Sequence, residues 1–134
     1  MNFLLVLIAA VLNMLLGYVW YSALFSKAWT QATGISKDEM EKAKKKGMGK
    51  NYFLMFAASL VLSGVLQELV FILNIHDFAS GMKLGFFIWL GFTGTALFSQ
   101  WLFSGKPKKL LLIDTGYYLV AYSLIGGFLS VWTG

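Results

Sequence analysis

Two carboxylates sit where carboxylates are expensive. Glu68 and Asp114 fall inside long apolar runs, whereas Asp38, Glu39, Glu41 and Asp77 fall between such runs. An acid buried in an apolar run must be neutral, paired or turned to a wet cavity, so each is a candidate site. Asp114 has polar company. Tyr117 and Tyr118 come one turn deeper, Gln100 and Tyr21 are expected at a similar depth on neighbouring runs, and Trp20 precedes Tyr21. These six, Trp20, Tyr21, Gln100, Asp114, Tyr117 and Tyr118, form a candidate polar cluster: one acid ringed by hydrogen-bond partners. The chemistry would be a buried hydrogen-bond hub, or an ion or proton site. The plainer reading is a helix-start acid. Asp114 lies five residues past Lys109, about 8 Å of helical rise, where a carboxylate suits the helix dipole. Glu68 is the candidate intramembrane acid. It is either a neutral carboxyl bonded across helices or a group coupled to a proton or cation.

Other chemistries are poorly supplied. Cysteine is absent, which removes disulfides, thiolates and cysteine-ligated metals. His76 is the lone histidine, beside Asp77 in a short loop, and reads as solvated rather than metal-binding. There is no P-loop, nucleophile elbow or paired histidine motif, and Gly91-x-x-Gly94 lacks a dinucleotide-binding context. No catalytic residue, metal site or cofactor is therefore expected. An enzyme inside the membrane would need a second group cooperating with Asp114.

The elements that hold these residues follow from composition. Of 134 residues, 58% are hydrophobic and 13% charged, and mean hydropathy is +0.70. Soluble domains carry roughly 25% charged residues, so this is an integral membrane protein. Four runs can cross a bilayer, about 2–25, 52–75, 83–103 and 110–133. The first lacks the basic start and the cleavage site of a signal peptide and reads as a retained span. The predicted fold is all-α, a single membrane domain over 1–134 with four transmembrane helices in an antiparallel up-down bundle.

All eleven basic residues are lysines, for a net charge of +5. Their position between apolar runs argues for topology signals, not nucleic-acid binding. Loops 26–51 and 104–109 hold ten of them; Lys83 alone lies on the other side. That asymmetry puts both lysine loops in the cytoplasm and both termini outside, in a bacterial inner membrane if the cell is bacterial. Ser36-Lys-Asp-Glu39 has capping-box spacing, so a short helix is predicted from Ser36, ended by Gly47 and Gly49. Lys42, Lys44, Lys45, Lys46 and Lys50 would lie against anionic lipid headgroups.

Helical spacing gives each span a polar or small face. These faces are Asn13, Gly17, Trp20, Tyr21 and Leu24; Ser59, Ser63, Gln67 and Phe71, with Glu68 beside them; Trp89, Thr93, Ala96 and Gln100; and Asp114, Tyr117, Tyr118, Tyr122 and Ile125. Ser59/Ser63 and Ser123/Gly127 have the small-xxx-small spacing of packing faces. Trp20, Tyr21, Trp29 and Trp101 also suit an interfacial aromatic belt. The phrase LGYVWYSALFSKAW of span 1 echoes LGFTGTALFSQW of span 3. The echo is one residue out of step, so glycine and ALFS cannot keep equivalent faces on two regular helices without a bulge. Shared placement at like helix ends accounts for most of the likeness, with duplication of a hairpin as the lesser alternative.

The segments GYVWYSALFSKAW, WLGF and LLLIDTGYYLV resemble a family of small four-span bacterial membrane proteins catalogued as a domain of unknown function. The resemblance covers nearly the whole chain, least in the lysine loop and span 2. It rests on Gly17, Trp20, Tyr21, Phe25, Trp29, Trp89, Leu90, Gly91, Phe92, Ile113, Asp114, Gly116 and Tyr117. It implies a four-helix membrane fold and no particular activity, and favours the cluster around Asp114 over Glu68. The favoured expectation is an accessory or structural subunit packing with itself or a larger membrane complex. The alternative is a homo-oligomeric small-solute or ion transporter or channel.

Overall fold

The structure is a computed structural model that describes residues 2–47 and 49–132. Its elements are α1 (Phe3–Leu24), α2 (Ser26–Thr33), α3 (Lys37–Lys45), α4 (Gly49–Ile72), α5 (Phe78–Leu102) and α6 (Lys108–Trp132). The four long helices, α1, α4, α5 and α6, are each long and apolar enough to cross a membrane.

Local chemistry explains where the helices begin and end. Asn2 caps α1 by accepting from the Leu4 and Leu5 N–H groups. The Ser36 hydroxyl accepts from the Glu39 N–H, starting α3 where capping-box spacing predicts. Asp38 and Glu39 then lie in its first turn and Lys42, Lys44 and Lys45 in its last, matching the helix dipole.

Four features differ from the sequence reading. The loop over 26–51 holds a second helix, α2, which Gly34 ends at φ 74°. Gly47 (φ 87°) closes α3, but Gly49 already belongs to α4. Span 2 ends at Ile72 instead of running to 75, because Asn74 turns to φ 56°, while the Asn74 and Ile75 N–H groups close back onto the Phe71 and Val70 carbonyls. Span 3 begins at Phe78, five residues before the expected 83. There the Asp77 carboxylate accepts from the Ser80 N–H at 2.8 Å and caps the helix. That bond holds the Asp77 carboxyl below the usual carboxylate range. His76 is exposed, with Nε2 2.7 Å from Asn74 Oδ1.

Helix α6 is the hub. It packs against α1, α4 and α5, and near its start against α2, while α5 packs chiefly on α6. Leu5, Ala9, Leu66, Ile125 and Leu129 form one core cluster; Tyr117, Ala121 and Tyr122 form a second, nearer the lysine-rich end. Phenylalanines and leucines cover the outside, as lipid contact demands.

The α5–α6 contact is close because both helices lack side chains there. A Cβ on Gly85 would fall on the Tyr122 carbonyl, and one on Gly81 would meet Ser130 Oγ and the Gly126 carbonyl. On α6, Gly126 and Ser130 receive Gly81 of α5, and the Ser123/Gly127 pair lies in the same contact: Gly85 approaches the Ser123 N–H and Gly127 packs beneath the Phe78 ring. Ser59 and Ser63 are both buried on α4.

Candidate functional site

Regular helices would not assemble the site that the structure contains. The end of α1, Val19–Leu24, and the middle of α5, Trp89–Thr93, are π-helical. Each turn hangs on a tryptophan carbonyl: Trp20 O accepts from the Phe25 N–H, and Trp89 O from the Gly94 N–H. A π turn inserts an extra residue and rotates the remainder of its helix. Leu24, Ala96 and Gln100 consequently leave the faces on which straight-helix spacing puts them and become exposed.

The same two tryptophans grip α6. The Trp20 indole N–H donates to the Ile113 carbonyl at 2.9 Å, and the Trp89 indole N–H to the Thr115 carbonyl at 2.8 Å. The gripped carbonyls flank Asp114 in sequence. Trp20 is thus turned into the protein instead of serving only as a belt residue. The echoed phrases are not in the same register on this device: Trp20 lies inside the first and Trp89 just before the second, and Gly17 packs over the Tyr117 ring, while Gly91 faces open space.

Between the grips, Asp114 Oδ1 accepts from the Tyr21 hydroxyl at 2.7 Å. Tyr21 stacks near Tyr117 (ring centroids 5.6 Å apart) and meets Trp29 edge-on at 6.1 Å; Tyr117 and Tyr118 meet at 5.0 Å. These groups line a cleft of about 720 Å³ at the lysine-rich end. All six helices contribute to it: Tyr21 and Ser22 from α1, Trp29 and Thr30 from α2, Met40 and Lys44 from α3, Met55 from α4, Leu97 from α5, and Asp114, Tyr117 and Tyr118 from α6. Asp114 also borders a smaller cleft of about 160 Å³ with Gln100, Trp101 and Lys106. Gln100 shares that space with Asp114 without bonding to it. The Lys106 ammonium donates to the Thr33 carbonyl at 2.9 Å, tying the second lysine loop to the end of α2.

Tyr117 is the floor of the large cleft. Its hydroxyl donates to Asn13 Oδ1 at 2.6 Å, and Asn13 Nδ2 donates to Ser59 Oγ at 2.7 Å. This chain joins α6, α1 and α4 through groups that are all buried. Farther along the same α4 face, Gln67 Oε1 accepts from the Asn2 N–H at 3.1 Å. Ser63, one turn beyond Ser59, is fully buried and its hydroxyl has no hydrogen-bond partner among the described residues.

The structure therefore brings together Trp20, Tyr21, Asp114, Tyr117 and Tyr118, and sets Gln100 at their edge. Glu68 lies apart. It follows the buried Gln67 by one residue, about 100° round the helix, and is exposed on the outer side of α4 one turn from its end. Lys42, Lys44, Lys45, Lys46 and Lys50 are all exposed, with Lys44 also lining the large cleft. Sequence reasoning put Asn13, Ser59, Trp89, Thr93 and Tyr122 on polar faces without joining them to the site. Thr93 in fact donates to the Tyr122 hydroxyl at 2.9 Å. The signal available was the polar stripe on each span; what no stripe contains is which one it meets.

Compared with known protein families, residues 4–130 match the family described as protein of unknown function DUF1761. No curated protein and no solved structure matches the chain.

Proposed function

The chain belongs to the DUF1761 family, and from that premise we propose that it is a non-catalytic integral membrane subunit that assembles laterally, through α5, with a second copy of itself. The observation that carries this reading is the outer face of α5. Gly91, Thr95 and Ser99 recur every four residues there and are all exposed. Their hydroxyls are already used: Thr95 Oγ1 donates to the Gly91 carbonyl at 3.0 Å and Ser99 Oγ to the Thr95 carbonyl at 2.9 Å. A small, self-satisfied stripe is what lets two helices approach closely in lipid, where packing rather than hydrophobicity drives association.

In this reading the four long helices run alternately up and down. The paired positions Asn2/Gln67 and Asn13/Ser59 run in opposite order along α1 and α4, as do Gly81/Ser130 and Gly85/Tyr122 along α5 and α6. The ten-to-one lysine asymmetry argues for both termini outside a bacterial inner membrane, with the exposed lysines of α3 against anionic headgroups. Native mass spectrometry from the membrane, on wild type and Gly91→Leu/Ser99→Leu, tests the assembly. Wild-type dimers that fall apart in the variant are expected; a monomer in both, or an unchanged dimer, refutes it.

A second reading is a homo-oligomeric transporter, favoured by Asp114 in an open cleft. Tyr117 and Asn13 close the floor of that cleft, so any path across would need copies to form it between them. Solute flux by the purified protein in liposomes, lost in Asp114→Asn, would favour transport over a purely structural role.

A further inference from the structure

The large cleft has the chemistry of a receptor for an organic cation. Among the described residues, Asp114 is the one acid on its wall. Tyr21 occupies Oδ1, and among the described residues no lysine pairs with the carboxylate and no donor reaches Oδ2. Beside it runs a continuous aromatic wall of Trp29, Tyr21, Tyr117 and Tyr118, each ring within 5.0–6.1 Å of the next. A carboxylate next to aromatic rings selects an ammonium group, through direct charge attraction and through the negative ring faces. A divalent metal ion would instead need several oxygen ligands of its own, and an anion would be repelled by Asp114.

The cleft also carries the opposite charge. Lys44 of α3 lines it, and Lys42, Lys45 and Lys46 are exposed at the same end of the chain's lysine loop. Met40 and Met55 add soft apolar surface. At about 720 Å³ the space falls in the ordinary range for small-molecule sites, roughly 300–1,000 Å³. We propose that this cleft binds a zwitterionic ammonium–phosphate group, with the ammonium against Asp114 and the aromatic wall and the phosphate toward Lys44. Such a group occurs both as the headgroup of a membrane lipid and as a free soluble molecule. The site stands whether or not copies assemble through α5.

The experiment has two arms, each with wild type and Asp114→Asn, which keeps an acceptor for Tyr21 and removes the charge. In the first, native mass spectrometry reads which lipid stays bound after release from nanodiscs of equal phosphatidylglycerol, phosphatidylethanolamine and phosphatidylcholine. In the second, calorimetry reads binding of free phosphocholine and phosphoethanolamine. Retention of a zwitterionic lipid, weakened about tenfold in the variant as loss of one charge-assisted contact implies, supports the proposal with a lipid as source. Binding of the free compounds alone, weakened likewise, supports it with a soluble source. No zwitterion preference in either arm, or equal binding by the variant, overturns it. Should Asp114→Asn fail to fold, wild type is challenged with choline and its neutral isostere dimethylbutanol. Competition by choline alone is expected, and equal competition by both overturns the proposal.

Discussion

Asn13→Leu is expected to loosen the join between α1, α4 and α6. The side chain is buried and makes two short bonds, accepting from Tyr117 at 2.6 Å and donating to Ser59 at 2.7 Å. Leucine has similar volume and makes neither. Tyr117 would keep only its longer 3.3 Å bond to the backbone carbonyl of residue 13. Cross-helix hydrogen bonds in membrane proteins average about 0.6 kcal/mol and reach about 1.7. Two lost bonds therefore predict a destabilisation of about 1–3 kcal/mol. The lower half of that range applies if Ser59 turns its hydroxyl to a carbonyl of the preceding turn. Unfolding by sodium dodecyl sulfate in mixed micelles, followed by tryptophan fluorescence, measures it. Two alanine substitutions one helical turn apart sharpen the test. Ser59→Ala removes a bonded hydroxyl and should destabilise. Ser63→Ala removes a buried hydroxyl that has no partner among the described residues and should be neutral or stabilising, by up to about 1 kcal/mol. Wild-type stability in Asn13→Leu would refute the reasoning. So would indistinguishable serine variants, or Asn13→Leu and Ser59→Ala effects that add to within about 0.3 kcal/mol.

Gly85→Ala puts a methyl group on the Tyr122 carbonyl, so α5 must move off α6, at about 1–3 kcal/mol by analogy with overpacked cores. The same micelle titration reads it, whereas Gly64→Ala on α4, which meets open space, should not destabilise. Asp77→Ala removes the cap of α5, and its effect should depend on pH. The folded carboxyl is held below its ordinary value by the Ser80 N–H, so its stabilisation is complete above the unfolded value, about 3.9. It is lost as pH falls through the lowered folded value. The melting-temperature gap between wild type and Asp77→Ala should be constant at neutral pH and close in acid; a gap that does not change with pH would count against the cap.

The amino-acid sequence by itself determined that the chain has four helices long and apolar enough to cross a membrane. Apolar runs of this length have only the lipid to sit in, and each helix satisfies its own backbone. It also determined the start of α3 at Ser36, because capping is a local bond between residues three apart. The start of α5 at Asp77 was equally local and could have been read from the same spacing. Other features were decided at the tertiary level. The π turns at Trp20 and Trp89 shift the faces of α1 and α5, and each turn goes with an indole bond to α6, a partner that no local pattern names. The pairing of Tyr21 with Asp114 spans 93 positions, and the cleft draws one or more residues from every helix. Periodicity reports which residues share a face; only packing decides which faces meet. Glu68 and Asp114 looked alike as acids in apolar runs, and the structure separates them for that reason: one faces outward from α4, the other lies where α1, α2 and α6 converge.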